Sequence, residues 1–164
     1  MVYMRGVVLF LAGLLVGTII MKPISAQENK VMGLRINHVG IAVTNMQQTL
    51  DFYTKVMGFH VAYNIGPNGV GGSNFVQVSR DTFIEVAQAG PNAPAGITHI
   101  GLGTENLNGT VTQLRQNGAN PPDGRLGGPS GSLLSAIMDP NGIRLEFNEQ
   151  PAGSLMRKAI ESWK

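Results

Sequence analysis

Ile36-Asn37-His38-Val39-Gly40 recurs 61 residues later as Ile97-Thr98-His99-Ile100-Gly101. Each copy is followed, 47 residues after its histidine, by a glutamate in another strand-like stretch: Glu85 after His38, and Glu146 after His99. Two His…Glu pairs related by one offset indicate an internal duplication. The sequence contains three histidines, and the duplication uses two of them.

The duplicated residue types indicate a metal site. Imidazole nitrogens and carboxylate oxygens suit borderline divalent metals such as zinc, nickel, iron or manganese. The two copies would supply four protein ligands: His38, Glu85, His99 and Glu146. Taken singly, each histidine is explained as a hydrogen-bonded strand residue and each glutamate as an exposed carboxylate. The shared spacing favours one common site. His60 has no partner in the repeat and is expected at a strand edge.

The first 26 residues are expected to be a targeting segment. Arg5 gives a positive start, Gly6–Met21 is an almost uninterrupted apolar run, and Ala26 ends a stretch typical of a signal-peptide cleavage site. The run holds about 16 residues, whereas a membrane-spanning helix needs about 20. Because Lys22 directly after the run is atypical, an uncleaved membrane anchor is the alternative. We expect export, to the periplasm or the extracellular space.

Composition excludes several classes of function. Arg5 and Lys22 account for the whole excess of 12 Lys+Arg over 10 Asp+Glu, so residues 27–164 carry no net charge. No basic stripe interleaved with aromatic residues is present, and nucleic acid is therefore not an expected partner. The absence of cysteine excludes thiolate zinc sites and cysteine nucleophiles. Residues 27–164 suffice for a single domain with its own core.

The first copy of the repeat predicts the element order strand–helix–strand–strand–strand. Asn45 is a predicted helix N-cap, with Gln48 at capping-box spacing, and Gly58 is the predicted helix stop. Tyr53, Met46 and Met57 are expected in the helix core. The predicted strands are Leu34–Val43, Phe59–Asn64, Phe75–Ser79 and Thr82–Ala87.

The second copy predicts the same order more loosely. A helix is expected over Asn108–Asn117, with Val111 and Leu114 facing inward, and a Pro- and Gly-rich stretch, 119–131, replaces one strand. The predicted strands are Ile97–Gly103, Leu133–Met138 and Ile143–Asn148, the last two joined by the turn Asp139-Pro140-Asn141-Gly142. A final amphipathic helix is expected, with Leu155, Ala159 and Ile160 on one side.

Strand alternation places the two acids on a common face of the sheet. Glu85 alternates with the apolar Ile84 and Val86, and Glu146 alternates with Leu145 and Phe147. We expect the helices to pack on that apolar face. The opposite face, which also carries Arg144 and Asn148, is expected to be a site and not a core.

These motifs resemble the vicinal oxygen chelate superfamily, which includes glyoxalase I, methylmalonyl-CoA epimerase, extradiol dioxygenases, and bleomycin- and fosfomycin-resistance proteins. The resemblance covers nearly all of residues 34–150. The stretches that carry it are Ile36–Val43, Asp51–Phe59, Ile97–Leu102 and Asp139–Glu146.

The resemblance implies an α+β fold in which two βαβββ modules form a curved eight-stranded mixed sheet around a central metal-site cavity, with helices on the outside. His38, Glu85, His99 and Glu146 match the metal-ligand set of glyoxalase I, so the cofactor is expected to be a divalent ion (Zn, Ni, Co, Mn or Fe(II)). The expected domains are a signal peptide (1–26), a flexible segment (27–33), the superfamily domain (34–150, with modules 34–88 and 96–150) and a C-terminal helix (151–164).

The leading functional hypothesis is a metal-dependent lyase or isomerase of the glyoxalase I type. It would stabilise an enediolate or oxyanion next to a carbonyl of a small-molecule substrate, with Glu146, ahead of Glu85, as the base. Glyoxalase I acts on a glutathione adduct, and glutathione is abundant in the cytoplasm but scarce outside it. Because this chain is expected to be exported, the reaction type is better supported than the substrate. After cleavage of the signal peptide no membrane association is expected. The protein is expected to form a homodimer.

Two alternatives remain open. An Fe(II)-dependent extradiol-type dioxygenase would use His38, His99 and Glu146. The resemblance also implies further histidine and tyrosine residues at such a site; only His60 is left over, and the sequence places no tyrosine there. A non-catalytic small-molecule binding protein of the resistance type would use the same concave face. Whether the modules pair within one chain or across a dimer is also open.

Overall fold

A computed structural model describes residues 33–66 and 72–164, which form an open eight-stranded mixed sheet with three α-helices. The expected leader (1–26), the segment after it and the tip of the Gly66–Gly72 loop lie outside the described residues. Among the described residues, no helix combines the length and apolar character needed to cross a membrane.

The elements follow the predicted order with small shifts at their ends, with one correction: the stretch 119–131, which was predicted to replace a strand, contains a strand of two residues, Arg125–Leu126. The strands are β1 (Arg35–Val43), β2 (His60–Ile65), β3 (Ser73–Ser79), β4 (Thr82–Gln88), β5 (Gly96–Thr104), β6 (Arg125–Leu126), β7 (Leu133–Met138) and β8 (Arg144–Glu149). The helices are α1 (Met46–Asp51), continued by a π-helical turn (Phe52–Val56), α2 (Leu107–Gln116) and α3 (Leu155–Ser162), with a 3-10 turn at Gly128–Ser130.

The sheet has the order β2-β3-β4-β1-β5-β8-β7-β6. In the first module β1 pairs parallel with β4, and in the second β5 pairs parallel with β8. The modules join where β1 and β5 pair antiparallel at the centre of the sheet. The expected fold of two βαβββ modules is therefore confirmed, and both modules come from one chain.

The duplication extends to the starts of the helices. Asn45 accepts a hydrogen bond from the backbone N–H of Gln48, as its spacing predicted. Asn106, which lies 61 residues later, accepts one from the backbone N–H of Gly109. Each side chain satisfies a backbone donor that has no partner within its own helix.

The outer face of the second module packs as predicted. Val111, Leu114 and Leu107 of α2 form a buried cluster with Phe147 of β8. These side chains lie on the face opposite Glu146, because successive side chains of a strand point to opposite faces. The prediction that α2 covers the apolar face is therefore confirmed.

The first module contradicts the prediction that all helices avoid the acid-bearing face. Helix α3 buries Met156 and Ala159 against Phe75 and Phe83. Phe83 lies two residues before Glu85 and hence on its side of the sheet. The acid-bearing face therefore carries part of the core where α3 covers the first module.

The prediction that Met57 lies in the helix core is wrong for a local reason. Met57 is 48% exposed because the chain passes through the π-helical turn, which changes the helical spacing that had placed it inward. In α3 Ala159 is buried and Ile160 packs against the same cluster, and the buried apolar residue of the first turn is Met156, which the sequence did not single out. His60 is exposed at the start of the edge strand β2, as expected.

Candidate metal centre

The four duplicated residues converge at the centre of the sheet. The Nε2 atoms of His38 and His99 are 2.8 Å apart. Glu85 Oε2 lies 3.3 Å from His99 Nε2 and 3.6 Å from His38 Nε2, and Glu146 Oε1 lies 3.8 Å from His38 Nε2. The potential metal-ligand atoms of His38, His99 and Glu146 lie within 4.8 Å of one another. Both modules therefore contribute to a single cluster.

Glycine makes this convergence possible. Gly101 lies beside His38 across the β1–β5 pair, and Gly40 lies beside His99. A Cβ atom at Gly40 would lie 2.1 Å from His99 Cε1, and one at Gly101 would lie 2.1 Å from His38 Cε1. Each module thus provides the bare backbone over which the histidine of the other module lies.

Two reciprocal β-bulges orient the histidines. Asn37 is the extra residue of β1 between the pairs formed by Ile36 and His38, and Thr98 is the extra residue of β5. The two bulged residues are related by the same offset of 61. His38 Nδ1 is 2.9 Å from Asn37 Oδ1, and His99 Nδ1 is 3.0 Å from Thr98 Oγ1. A bulge re-aims a side chain, and here each contact occupies Nδ1 and leaves Nε2 for the cluster.

Asn37 belongs to a buried polar network that reaches α3. Its side-chain amide exchanges hydrogen bonds with that of Asn148. Gln150 donates to Asn148 and accepts a hydrogen bond from Ser154, the N-cap of α3. No comparable chain of contacts links Thr98 to a helix among the described residues, so the anchoring of the two histidines differs.

The outer oxygens of the two carboxylates have different partners. Ser73 donates a hydrogen bond of 2.6 Å to Glu85 Oε1. Arg144 Nη2 lies 2.8 Å from Glu146 Oε2, and the Arg144 side chain is 36% exposed. Glu85 is therefore held by a neutral donor inside the sheet, whereas Glu146 is held by a half-exposed cation.

Burial and hydrogen bonding shift the titration of the cluster. Burial lowers the pKa of His38 to about 4, against the opposing effect of the Glu85 and Glu146 charges. Burial acts to raise the pKa of Glu85, but hydrogen bonds from His99 and Ser73 bring it below its ordinary value. At neutral pH His38 is therefore a neutral imidazole and Glu85 a carboxylate, the forms that bind metals.

The geometry fits a divalent cation. Neighbouring ligands of one metal, at metal–nitrogen distances of about 2.0–2.1 Å and right angles, lie about 3 Å apart. The histidine nitrogens and the Glu85 and Glu146 oxygens lie 2.8–3.8 Å from one another in the closest pairs. The sequence-predicted set is thus brought together, while its metal-binding and catalytic roles stay predictions.

A cavity of about 210 Å³ opens at the cluster, and Arg144 and Tyr63 are among the lining residues that were not predicted as site residues. Arg144 lines the cavity with a side chain that is 36% exposed, and strand alternation had already placed it on the same face as Glu146. Tyr63 of β2 lines the wall, stacked on Phe75 with ring centroids 4.5 Å apart. Burial and the charge of Glu85 raise the pKa of Tyr63, so its hydroxyl stays protonated. No local sequence signal places Tyr63 there, since it depends on the packing of β2 and β3.

Comparison with known proteins gives one family. The model of the Glyoxalase/Bleomycin resistance protein/Dioxygenase superfamily matches residues 35–147. Lactoylglutathione lyase of Escherichia coli O157:H7 is 26% identical over 132 residues, which cover 71% of this chain and 93% of that protein.

Solved structures agree on the fold. A hypothetical protein of Bacillus halodurans C-125 superposes with a TM-score of 0.62 at 20% identity, covering 74% of this chain and 98% of the other. A variant of Streptomyces coelicolor methylmalonyl-CoA epimerase, in complex with 2-nitronate-propionyl-CoA, gives a TM-score of 0.59 at 20% identity, covering 73% of this chain and 96% of the other. At these identities the likeness concerns the fold.

Proposed function

Because the chain belongs to the Glyoxalase/Bleomycin resistance protein/Dioxygenase superfamily, we propose that it is a metal-dependent lyase or isomerase that moves a proton next to a carbonyl group. The observation that carries this proposal is the convergence of two imidazoles and two carboxylates at one cavity. The E. coli relative named as a lyase and the structural neighbour named as an epimerase support the same class of reaction.

His38, His99, Glu85 and Glu146 would hold the metal. A divalent ion bound there would supply a Lewis acid that polarises the oxygens of the substrate. The bulged residues Asn37 and Thr98 hold the imidazoles by Nδ1, and such outer contacts typically change metal affinity by 10- to 100-fold. Zinc, nickel, cobalt, manganese and iron(II) all suit these ligands.

Glu146 is the proposed base. It takes a proton from the carbon next to the carbonyl; the electron pair of the broken C–H bond forms a C=C bond, and the π pair of the carbonyl moves to its oxygen. When the oxyanion collapses and a carbonyl re-forms, the proton returns to one of the two carbons. Glu146 is favoured over Glu85 because its outer partner, Arg144, lies at the open side of the cavity, whereas Ser73 ties Glu85 to the sheet.

The test compares two conservative variants. Glu146→Gln should keep much of the metal, because an amide oxygen still coordinates, and should lose turnover by about 100-fold or more. Glu85→Gln, the matched control, should retain more activity. Metal content and initial rates with α-oxoaldehydes and acyl-CoA thioesters decide between them. Equal activity in both variants would assign the proton transfer to another group.

A second candidate is an Fe(II)-dependent dioxygenase. The subset His38, His99 and Glu146 forms the compact group of three donors, and two histidines with one carboxylate suit non-haem iron. Tyr63 in the cavity wall adds the hydroxyl that the sequence had not placed. Iron in the purified protein with dioxygen uptake on catechols would favour this reading; zinc, nickel or cobalt would favour the first. Absence of stoichiometric metal would favour a non-catalytic binding protein.

Export is also proposed, on the sequence of residues 1–26 alone. The measurement is the intact mass of protein recovered from the native envelope. A mass that begins after Ala26 supports cleavage, whereas a full-length mass with partition into membranes supports an anchor.

We further propose a homodimer that uses the end of the first helix. Helix α1 buries no residue, and beyond it Phe52, Val56 and Met57 are 49%, 70% and 48% exposed. Adjacent apolar side chains of this kind are typical of contact surfaces. Val56→Asp should convert the dimer to a monomer in light scattering. Leu126→Asp, at an exposed apolar residue of β6, is the control.

A further inference from the structure

The two modules are not equivalent at one position that faces the cavity. Arg144 of the second module corresponds, at the offset of 61, to Phe83 of the first. Phe83 is 1% exposed beneath α3, whereas the Arg144 side chain is 36% exposed. The same position is therefore a core residue in one half of the face and a cation at the opening of the other.

Because of this difference, the two sides of the cavity have different linings. On the side of the first module, Met156 and Phe75 close it with the core around α3. On the side of the second module, Arg144 lines both the cavity and a groove of about 480 Å³ beside β7. Arg144 is the residue that the lining of this groove shares with the lining of the cavity that contains the histidines.

Arg144 is the only arginine or lysine among the described residues that line the cavity. Its contact with Glu146 uses Nη2, and no other ion pair of its guanidinium is present within the described chain. By contrast, Arg35 and Arg157 pair with Glu105 on the outer surface. A guanidinium carries five N–H donors in a planar fork that matches carboxylate and phosphate groups, so Arg144 keeps donors for a ligand.

The charge balance favours an anion. If the proposed function is right, a divalent cation neutralises Glu85 and Glu146, and Arg144 leaves one positive charge at the cavity mouth. The groove beyond it is lined mainly by small or apolar residues, among them Ala119, Ala136 and Met138. The groove therefore has few polar groups of its own that could bind an acidic group in place of Arg144.

We propose that Arg144 binds a carboxylate or phosphate group of the substrate and, in doing so, exchanges its ion pair with Glu146 for one with the ligand. This inference rests on the proposed function and narrows its substrate class to small carbonyl compounds that carry an acidic group. The exchange releases Glu146 Oε2 when the ligand arrives, so a single event positions the substrate and frees the base.

The test uses three hydroxamate probes that chelate metals alike: neutral acetohydroxamate, an analogue extended by a carboxylate, and one extended by a phosphonate. Calorimetry on the metal-loaded protein should show the extended probes binding about tenfold more tightly than the neutral one, the effect of one charge-assisted hydrogen bond. The ratio between the two extended probes identifies the preferred acid.

Arg144→Gln should abolish this preference while leaving affinity for the neutral probe within about threefold, and Arg144→Lys should keep part of it. Arg35→Gln, which breaks an ion pair of comparable exposure with Glu105, is the control and should leave every ratio unchanged. If the metal-loaded protein binds all three probes with equal affinity, this inference is wrong while the proposed function stands. Protein that takes up no metal overturns the proposed function and the inference together.

Discussion

At the scale of single residues, the cluster depends on each module equally. His38→Ala and His99→Ala should each weaken metal binding by about 100-fold or more, because removing a ligand is more severe than removing an outer contact, which costs 10- to 100-fold. Each variant should also lose the stabilisation that metal confers on the folded state. Metal titration and thermal unfolding measure both effects. His60→Ala is the control, and full metal occupancy in both histidine variants would refute a shared site.

The glycines beneath the histidines give a second prediction. Gly40→Ala should displace the His99 ring, because the added Cβ would lie 2.1 Å from its Cε1. We expect a loss of stability of about 1–3 kcal/mol, typical of overpacking, together with weaker metal binding. Gly90→Ala is the matched control, since a Cβ there meets nothing within 4 Å. Urea unfolding with and without metal provides the measurement, and equal stability of the two variants would contradict it.

The convergence of the two histidines and two glutamates could be predicted because the repeat itself carries them: four residues at one offset need no tertiary information. The bulges at Asn37 and Thr98 could not, because a bulge is a mismatch in register between two strands and leaves no mark on either strand alone. The position of Arg144 could be predicted only in part. Alternation put it beside Glu146, but its exposure depends on the absence of a helix over that half of the face.

At the scale of elements, α3 was predicted as a helix but on the wrong face of the sheet. Its amphipathic pattern predicts a buried side but does not say which face of the sheet receives it. Met156→Ala should destabilise the protein by about 2–5 kcal/mol, because Met156 is 2% exposed in the core around α3. Met138→Ala, at a 62% exposed methionine, should change stability by less than about 0.5 kcal/mol. Similar losses in both variants would contradict the docking of α3.

The turn between β7 and β8 predicts a dependence on pH. Asp139 Oδ1 accepts hydrogen bonds from the backbone N–H groups of Asn141 and Ile143, and these bonds hold its pKa below the ordinary value. Stability from the charge is therefore present above the unfolded-state pKa of about 4 and is lost as pH falls through the lower folded-state value. Asp139→Asn should be less stable than the wild type at pH 7, and the difference should vanish below the folded-state pKa. A difference in unfolding free energy that persists in acid would exclude the charge as its cause.

At the scale of the whole molecule, the candidate metal centre joins both halves of the sheet. Its proposed ligands lie on β1, β4, β5 and β8, the four central strands. Metal removal should therefore lower the temperature of one cooperative transition. Saturating metal at 1,000 times its Kd should add about 4 kcal/mol. Calorimetry with and without chelator measures the shift, and two transitions of which only one responds to metal would mean that the modules unfold separately.

The crossed contacts at the β1–β5 junction restrict how this protein can be recombined. A hybrid that joined residues 34–88 of this chain to the second half of a relative would place His38 over a foreign strand. That strand would have to offer a glycine opposite the ring, whereas Gly40 of this chain already leaves room for the histidine of the foreign half. Compatibility of chimaeric halves is thus decided at two backbone positions that bind nothing themselves.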